Sequence, residues 1–227
     1  MELKPIAHIH TDFTSKFGIP RQSGRVDELI GVIRFEDEYR IKEAVRGLDG
    51  YSHIWLIWEF SDNHHDRWTP TVRPPRLGGN KRVGVFATRS PYRPNNIGLS
   101  CVKLERIDLD SPDAPLLYVS GIDLLDGTPI FDIKPYLLHA DCKPEALSGF
   151  STEFVDYSLE VDFPDDLLAL IPESKRSAVK AVLAEDPRPS YQDDPEREYY
   201  MEFAGYEIGF KVAETKLTVT EVNQKNK

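Results

Sequence analysis

The chain has 227 residues, 40% hydrophobic and 29% charged, with a net charge of −10, a composition that excludes a disordered or fibrous protein and supports a substantial buried core. No apolar run approaches the roughly 18 residues of a membrane span, and the opening MELKPIAHIH lacks the apolar centre of a signal peptide, so the cytoplasm is the expected compartment. Cys101 and Cys142 are single and unspaced, which argues against a disulfide framework or a thiolate metal site and leaves them as buried thiols.

In chain order, Ile6 to Ile9 reads as a short strand. In the following segment, Pro20-Arg21-Gln22 puts a cation and a carboxamide directly after a φ-locked residue. Leu29 to Phe35 is the next strand. Ile41, Ala44, Val45 and Leu48 recur at helical spacing, predicting a short helix over Asp37 to Gly47 with Asp37 as its N-cap. His53 to Phe60 is apolar on both faces, which predicts a central strand with Trp55 and Trp58 in the core. The connection from Ser61 to Pro75 contains His64, His65 and Asp66. No metal is expected there, because adjacent residues on a strand point apart and no HxH or HExxH spacing occurs.

Gly84 to Cys101, GVFATRSPYRPNNIGLSC, is the centre of the chain's chemistry. Val83, Val85 and Phe86 predict a short buried strand leading into a loop that Pro91 and Pro94 stiffen, Asn95 and Asn96 turn and Gly98 lets turn back. Arg89 and Arg93 are thus presented from a braced scaffold, where a guanidinium loses little freedom on gripping a carboxylate or phosphate. Arg67, Arg73, Arg76, Lys81, Arg82, Arg89, Arg93 and Lys103 fall in a window without Asp or Glu; it carries +8 and leaves −18 on the remainder. A basic island in an acidic chain points to an anionic partner such as nucleic acid.

Val102 to Leu109 and Leu116 to Leu124 predict two further strands, and Asp126-Gly127 predicts a hairpin returning through Ile130 to Tyr136. Many short strands with one helix, and no GxGxxG after a strand, favour an antiparallel or mixed barrel over a Rossmann fold. Beyond Phe150, Val155, Tyr157, Leu159, Val161 and Phe163 alternate with polar residues as a half-buried strand. A helical region over Asp165 to Ala184 is broken at Pro172, Glu185 to Tyr191 forms a turn, and Tyr199 to Val212 forms a hairpin, while Val222 to Lys227 is read as frayed. The fold class is therefore mostly β, with an amino-terminal barrel over residues 1–150 and a small α+β carboxy-terminal domain over 151–227.

The blocks PRQ at 20–22, AVRGLDGYSHIWLIW from Ala44, TVRPPRLGGN from Thr71, GVFATRSPYRPNNIGLS from Gly84 and DLLDGTPIFDIKPY from Asp123 resemble those of the TsaA-like (TrmO) tRNA methyltransferase family, and DPRPSY at 186–191 resembles its bacterial carboxy-terminal domain. The resemblance implies an S-adenosylmethionine-dependent β-barrel enzyme, a homodimer with the cofactor near the subunit interface. The implied substrate is the N6-threonylcarbamoyladenosine beside the anticodon of threonine tRNA, methylated at N6. Carried onto matching positions, the cofactor would contact Pro20, Arg21, Gln22, Ser61, Asp62, Arg89, Leu99, Ile122, Asp123, Leu124, Leu125 and Asp126.

Simple charge matching fits such a donor. Arg21 or Arg89 would suit its carboxylate, and Asp123 or Asp126 its cationic or ribose groups. A proton must leave the target nitrogen, for which an Asp or Tyr136 is a candidate. Lys81, Arg82, Tyr92 and Arg93, with Trp68 nearby, offer charge and stacking to the already unstacked bases of an anticodon loop. A non-catalytic RNA-binding barrel would keep the basic island without affinity for the donor, and a metal hydrolase would centre on His64, His65 and Asp66.

Overall fold

Alternating inward and outward side chains build a six-stranded antiparallel sheet that closes on itself. The computed structural model describes residues 2–61, 68–74, 77, 81–154, 157–188 and 194–225. Strands β1 (Ala7–His10), β2 (Ile30–Phe35), β3 (His53–Glu59), β6 (Ile97–Asp108), β7 (Leu116–Ser120) and β8 (Thr128–Pro135) follow the barrel order β1-β2-β7-β6-β3-β8, and β8 pairs back with β1. β4 (Thr71–Val72) and β5 (Val83–Gly84) form a separate two-stranded ribbon. Period-two geometry sends Ile54, Leu56 and Trp58 of β3 and Val102 and Leu104 of β6 inward. Each such aliphatic side chain contributes roughly 1.5–3 kcal/mol of burial, and closure leaves the barrel with no open edge.

Several expectations are corrected. Trp55 alternates with its buried neighbours and so lies on the outer face of β3, where its Nε1 donates to Asp141 Oδ2 at 3.0 Å and its ring meets Tyr136 beside the short helix α1 (Leu138–Asp141). The helix over Asp37 to Gly47 reduces to 3-10 turns at Lys42–Val45 and Leu48–Gly50. Asp37 pairs with Arg40 at 2.8 Å and does not cap, Gly47 takes φ of 83°, and of the four apolar residues only Val45 is buried. Asp126-Gly127 is a turn but not a hairpin: β8 pairs with β1 and β3, while β7 pairs with β2 and β6. Between them the chain leaves the sheet at Gly121 and sinks Ile122 and Leu124 into the core. Phe86 does not continue a buried strand; it lies in the 3-10 turn Val85–Ala87 and is 73% exposed, with Val85 alone buried. Cys142 is exposed rather than buried.

The remaining strands make a second sheet. β9 (Glu160–Asp162), β10 (Tyr199–Phe203), β11 (Tyr206–Ala213) and β12 (Lys216–Gln224) take the order β10-β11-β12-β9, with β9 parallel to β12. The predicted strand over 155–163 shortens to three residues because its single neighbour pairs only over Lys216–Thr218, and Val155 and Asp156 lie outside the described residues. Pro172 separates α2 (Asp165–Ala169) from α3 (Glu173–Ala184), whose Ala178, Val179, Val182 and Leu183 form its buried stripe. β12 runs to Gln224 and buries Val222, so the tail is paired rather than frayed at that point.

The segment between β1 and β2 ties the two sheets together. Phe13 meets Phe203 edge-on at 5.3 Å, Ala204 N donates to the carbonyl of Asp12, and Lys175 Nζ pairs with Asp12 at 2.5 Å. Gly18 has φ of 99°, and a Cβ there would meet Met201 Sδ at 2.4 Å, so only glycine permits both the turn and the contact.

Candidate functional site

The end of β3 and the start of β6 border an uncovered hollow that the barrel presents to a proline-braced loop. A cavity of about 450 Å³ lies there, within the size range of small-molecule sites. Its walls are the Pro20–Gln22 segment, the loop from Thr88 to Arg93, Trp58 to Ser61, Ile97 to Leu99, and Asp123 to Leu125.

The floor is a buried chain of hydrogen bonds. Trp58 Nε1 donates to Ser100 Oγ at 2.9 Å, and Ser100 Oγ donates to Asp123 Oδ1 at 2.6 Å, with Ser100 fully buried. Desolvation raises the Asp123 pKa to about 6, partly opposed by the Ser100 hydroxyl, the backbone N–H groups of Ser23 and Asp123, and the Arg89 charge. The register pairs Trp58 with Gly98, and a Cβ on Gly98 would fall 2.3 Å from the indole. The missing side chain is what lets the indole lie over β6 and form a wall.

The upper wall is held by side chains rather than by sheet pairing. Arg89 Nη1 donates to Gln22 Oε1 at 2.5 Å, and Gln22 Nε2 donates to the carbonyl of Arg21 at 2.6 Å. Arg93 folds over its own loop, donating to the carbonyls of Thr88 at 2.6 Å and Val85 at 3.2 Å. Thr88 Oγ1 in turn donates to Val85 O and accepts from Ser90 N. The arrangement offers the guanidinium groups of Arg21, Arg89 and Arg93, one buried carboxyl and an apolar surface from Phe60, Ile97, Leu99, Leu124 and Leu125. A ligand carrying a carboxylate, a cation and a flat ring matches that set.

Of the residues expected to meet a cofactor, Pro20, Arg21, Gln22, Ser61, Arg89, Leu99, Asp123, Leu124 and Leu125 line the cavity. Ile122 is buried in the core beneath it, and Asp126 instead accepts from Thr11 N at 3.0 Å outside the lining. Asp62 lies outside the described residues, as do His64, His65, Asp66, Arg67 and Arg76. Among the described residues no group of three His, Cys, Asp or Glu could hold a metal. Arg93 lines the cavity, whereas Lys81, Arg82 and Tyr92 are exposed beyond it. Arg82 Nη1 donates to Thr71 Oγ1 at 2.9 Å. Tyr136, a candidate base, sits on the outer face against His53 and Trp55 and is not a lining residue. Gly98, expected to let the chain turn back, instead lies inside β6 opposite Trp58, and sequence reasoning missed Ser100 and the cavity role of Trp58. The available signal was a glycine and a serine at the alternate positions that continue into the apolar Val102 and Leu104.

The family model described as the tRNA-methyltransferase O N-terminal domain matches residues 8–142, and the TrmO C-terminal domain model matches residues 156–225. The chain belongs to the TrmO tRNA-methyltransferase family. It is 46% identical over 163 residues to a tRNA (adenine(37)-N6)-methyltransferase of Eikenella corrodens, covering 71% of this chain and 91% of the relative. It is 43% identical over 166 residues to a Pseudomonas aeruginosa protein provisionally named an S-adenosylmethionine-dependent methyltransferase, covering 73% of this chain and 67% of that one. A crystal structure of TrmO from P. aeruginosa superimposes with a TM-score of 0.80 at 30% identity, covering 99% of this chain and 97% of that chain. The expected β-rich, non-Rossmann architecture is thus the TrmO architecture. Among the described residues, no helix is long and apolar enough to cross a membrane.

Proposed function

We propose that this TrmO-family protein uses S-adenosylmethionine to methylate N6 of N6-threonylcarbamoyladenosine, giving its N6-methyl derivative, beside the anticodon of threonine tRNA in the cytoplasm. The observation that carries the reading is the convergence of Arg21, Gln22, Arg89, Leu99 and Asp123, from four separate segments, on one cavity. Relatives named as tRNA (adenine(37)-N6)-methyltransferases supply the class of reaction and the position.

Arg21 and Arg89 hold the donor's carboxylate, Leu99, Leu124 and Leu125 pack its apolar ring, and Asp123 complements its cationic part. When bound, S-adenosylmethionine supplies a methyl group activated by its sulfonium. The barrel contributes alignment: the braced loop and the buried floor fix the cavity walls, so little freedom is lost on binding. Arg93 lines the cavity and Lys81, Arg82 and Tyr92 are exposed outside it, a set of cations and a ring suited to an anionic loop. Exposed Ile97 and Leu99 at the mouth support closure by a second copy of the chain, as a homodimer.

The test is mass spectrometry of threonine tRNA incubated with the protein and isotope-labelled donor. A labelled methyl on the threonylcarbamoyladenosine nucleoside, absent when the tRNA lacks the threonylcarbamoyl group, is the expected result. Binding of RNA without any affinity for the donor would establish the non-catalytic barrel instead.

A further inference from the structure

Among the described residues the carboxy-terminal sheet contributes none to the cavity lining, yet one of its turns grips the segment that forms a wall. Immediately after α3, Glu185 receives both Nε and Nη2 of Arg25 at 2.9 Å, a forked pair in which both side chains are largely buried. Two residues beyond Asp186, the carbonyl of Arg188 accepts from Arg21 Nη2 at 3.3 Å. Arg21 is itself a cavity-lining residue, and its own carbonyl anchors Gln22, which holds Arg89.

The turn that presents this carbonyl is internally locked. Arg188 is buried, and its Nε and Nη2 donate to the two carboxylate oxygens of Asp186 at 2.9 and 3.0 Å; Tyr157 Oη donates to Asp186 Oδ2 at 2.8 Å. Asp186 adopts φ of 53°, a strained backbone that the fork and the hydroxyl compensate. Burial works against the Asp186 charge, but the Arg188 fork and the Tyr157 hydroxyl outweigh it and hold its pKa below the usual value. Such a fork has one geometry, so the direction of the Arg188 carbonyl is set by side chains of the carboxy-terminal unit and not by the barrel.

We propose that the Glu185–Arg188 turn is a positioning element for the methyl-donor cavity: Glu185 and Asp186 fix the Pro20–Arg25 segment and thereby the orientation of the Arg21 and, through Gln22, the Arg89 guanidinium groups. This rests on the proposed cofactor reading. It assigns the carboxy-terminal sheet a role in donor binding, which its sequence alone did not indicate.

The experiment is calorimetric titration of the full-length chain with S-adenosylmethionine, comparing wild type, Asp186→Ala, Arg21→Ala and the double variant. Asp186→Ala should weaken donor binding about tenfold, whereas in the Arg21→Ala background the same change should cost about twofold or less, because the group being positioned is gone. Glu185→Gln, which keeps the side chain's size and one acceptor, should weaken binding about threefold with its circular dichroism unchanged, and it stands in should Asp186→Ala fail to fold. Glu185→Asp should recover part of the loss. Additive losses in the cycle, or wild-type affinity in Glu185→Gln, overturn the positioning role. Failure of the wild type to bind the donor overturns the cofactor reading itself, so the two are told apart.

Discussion

The floor of the cavity is a chain of buried hydrogen bonds from Trp58 through Ser100 to Asp123, whereas the surface beyond its lining, here called the lip, exposes Phe86, Trp68, Lys81 and Arg82. The floor is tightly packed and its three polar side chains are matched to one another, so a small change there is felt as packing, charge and binding together. The lip is held by short side-chain caps and one offset ring pair, Trp68 and Phe86 at 6.3 Å, so a change there alters the surface offered to a partner and little else. The same molecule therefore separates a preorganised binding site from an adaptable approach surface, and substitutions should sort by which of the two they touch.

The largest effect on binding is expected between the two regions, at Arg89. Arg89→Ala removes a guanidinium from the cavity wall and strands Gln22 Oε1, so donor affinity should fall about tenfold to a hundredfold by calorimetry. Wild-type affinity in this variant would remove Arg89 from the site.

On the floor, Gly98→Ala forces a methyl group into the Trp58 indole, backed by the full β3–β6 register. A loss of about 1–3 kcal/mol in chemical denaturation is expected, accompanied by weaker donor binding because the displaced ring is a cavity wall. An unchanged denaturation midpoint would show that the strand pair can relax.

Asp123→Asn should move stability the other way. The folded pKa of about 6 lies above the ordinary 3.8, so the folded chain holds the proton more tightly than the unfolded one. The stability from this group is fully present below about pH 4 and is lost as pH rises through about 6. At pH 7.5 the asparagine variant should gain about 1–3 kcal/mol, the range allowing for water in the cavity, while losing donor affinity. Donor binding by the wild type should likewise weaken as pH falls through about 6. A variant less stable than wild type at pH 7.5 would contradict the buried-charge account.

The smallest effect belongs to the lip. Lys81→Ala with Arg82→Ala should weaken tRNA binding a few-fold and reduce the salt slope by about two at most, leaving donor affinity unchanged. A salt-independent loss would place these residues in a contact other than phosphate neutralisation.

Much of this division is legible in the amino-acid sequence. The basic island, the proline-stiffened loop and the alternating strands are local features, set by residue type at short spacing. Elsewhere local patterns mislead for identifiable reasons. Trp55 and Trp58 are equally apolar, and only the pleat decides that one faces α1 and the other the core. Asp126-Gly127 has the chemistry of a hairpin, but β8 pairs with β1, more than a hundred residues away.

The order of residues along the chain thus determined the barrel class, the family blocks and the cations of the rim, because short-range periodicity, φ restriction and charge density need no knowledge of distant partners. Only the folded molecule decided that Ser100 lies between Trp58 and Asp123, that Asp126 points away while Asp123 faces the cavity, and that a turn at 185–188 holds arginines at 21 and 25. Those relations join residues separated by 23 to 167 positions. Strand order and the packing of one sheet on the other create them, and neither is written into any local stretch.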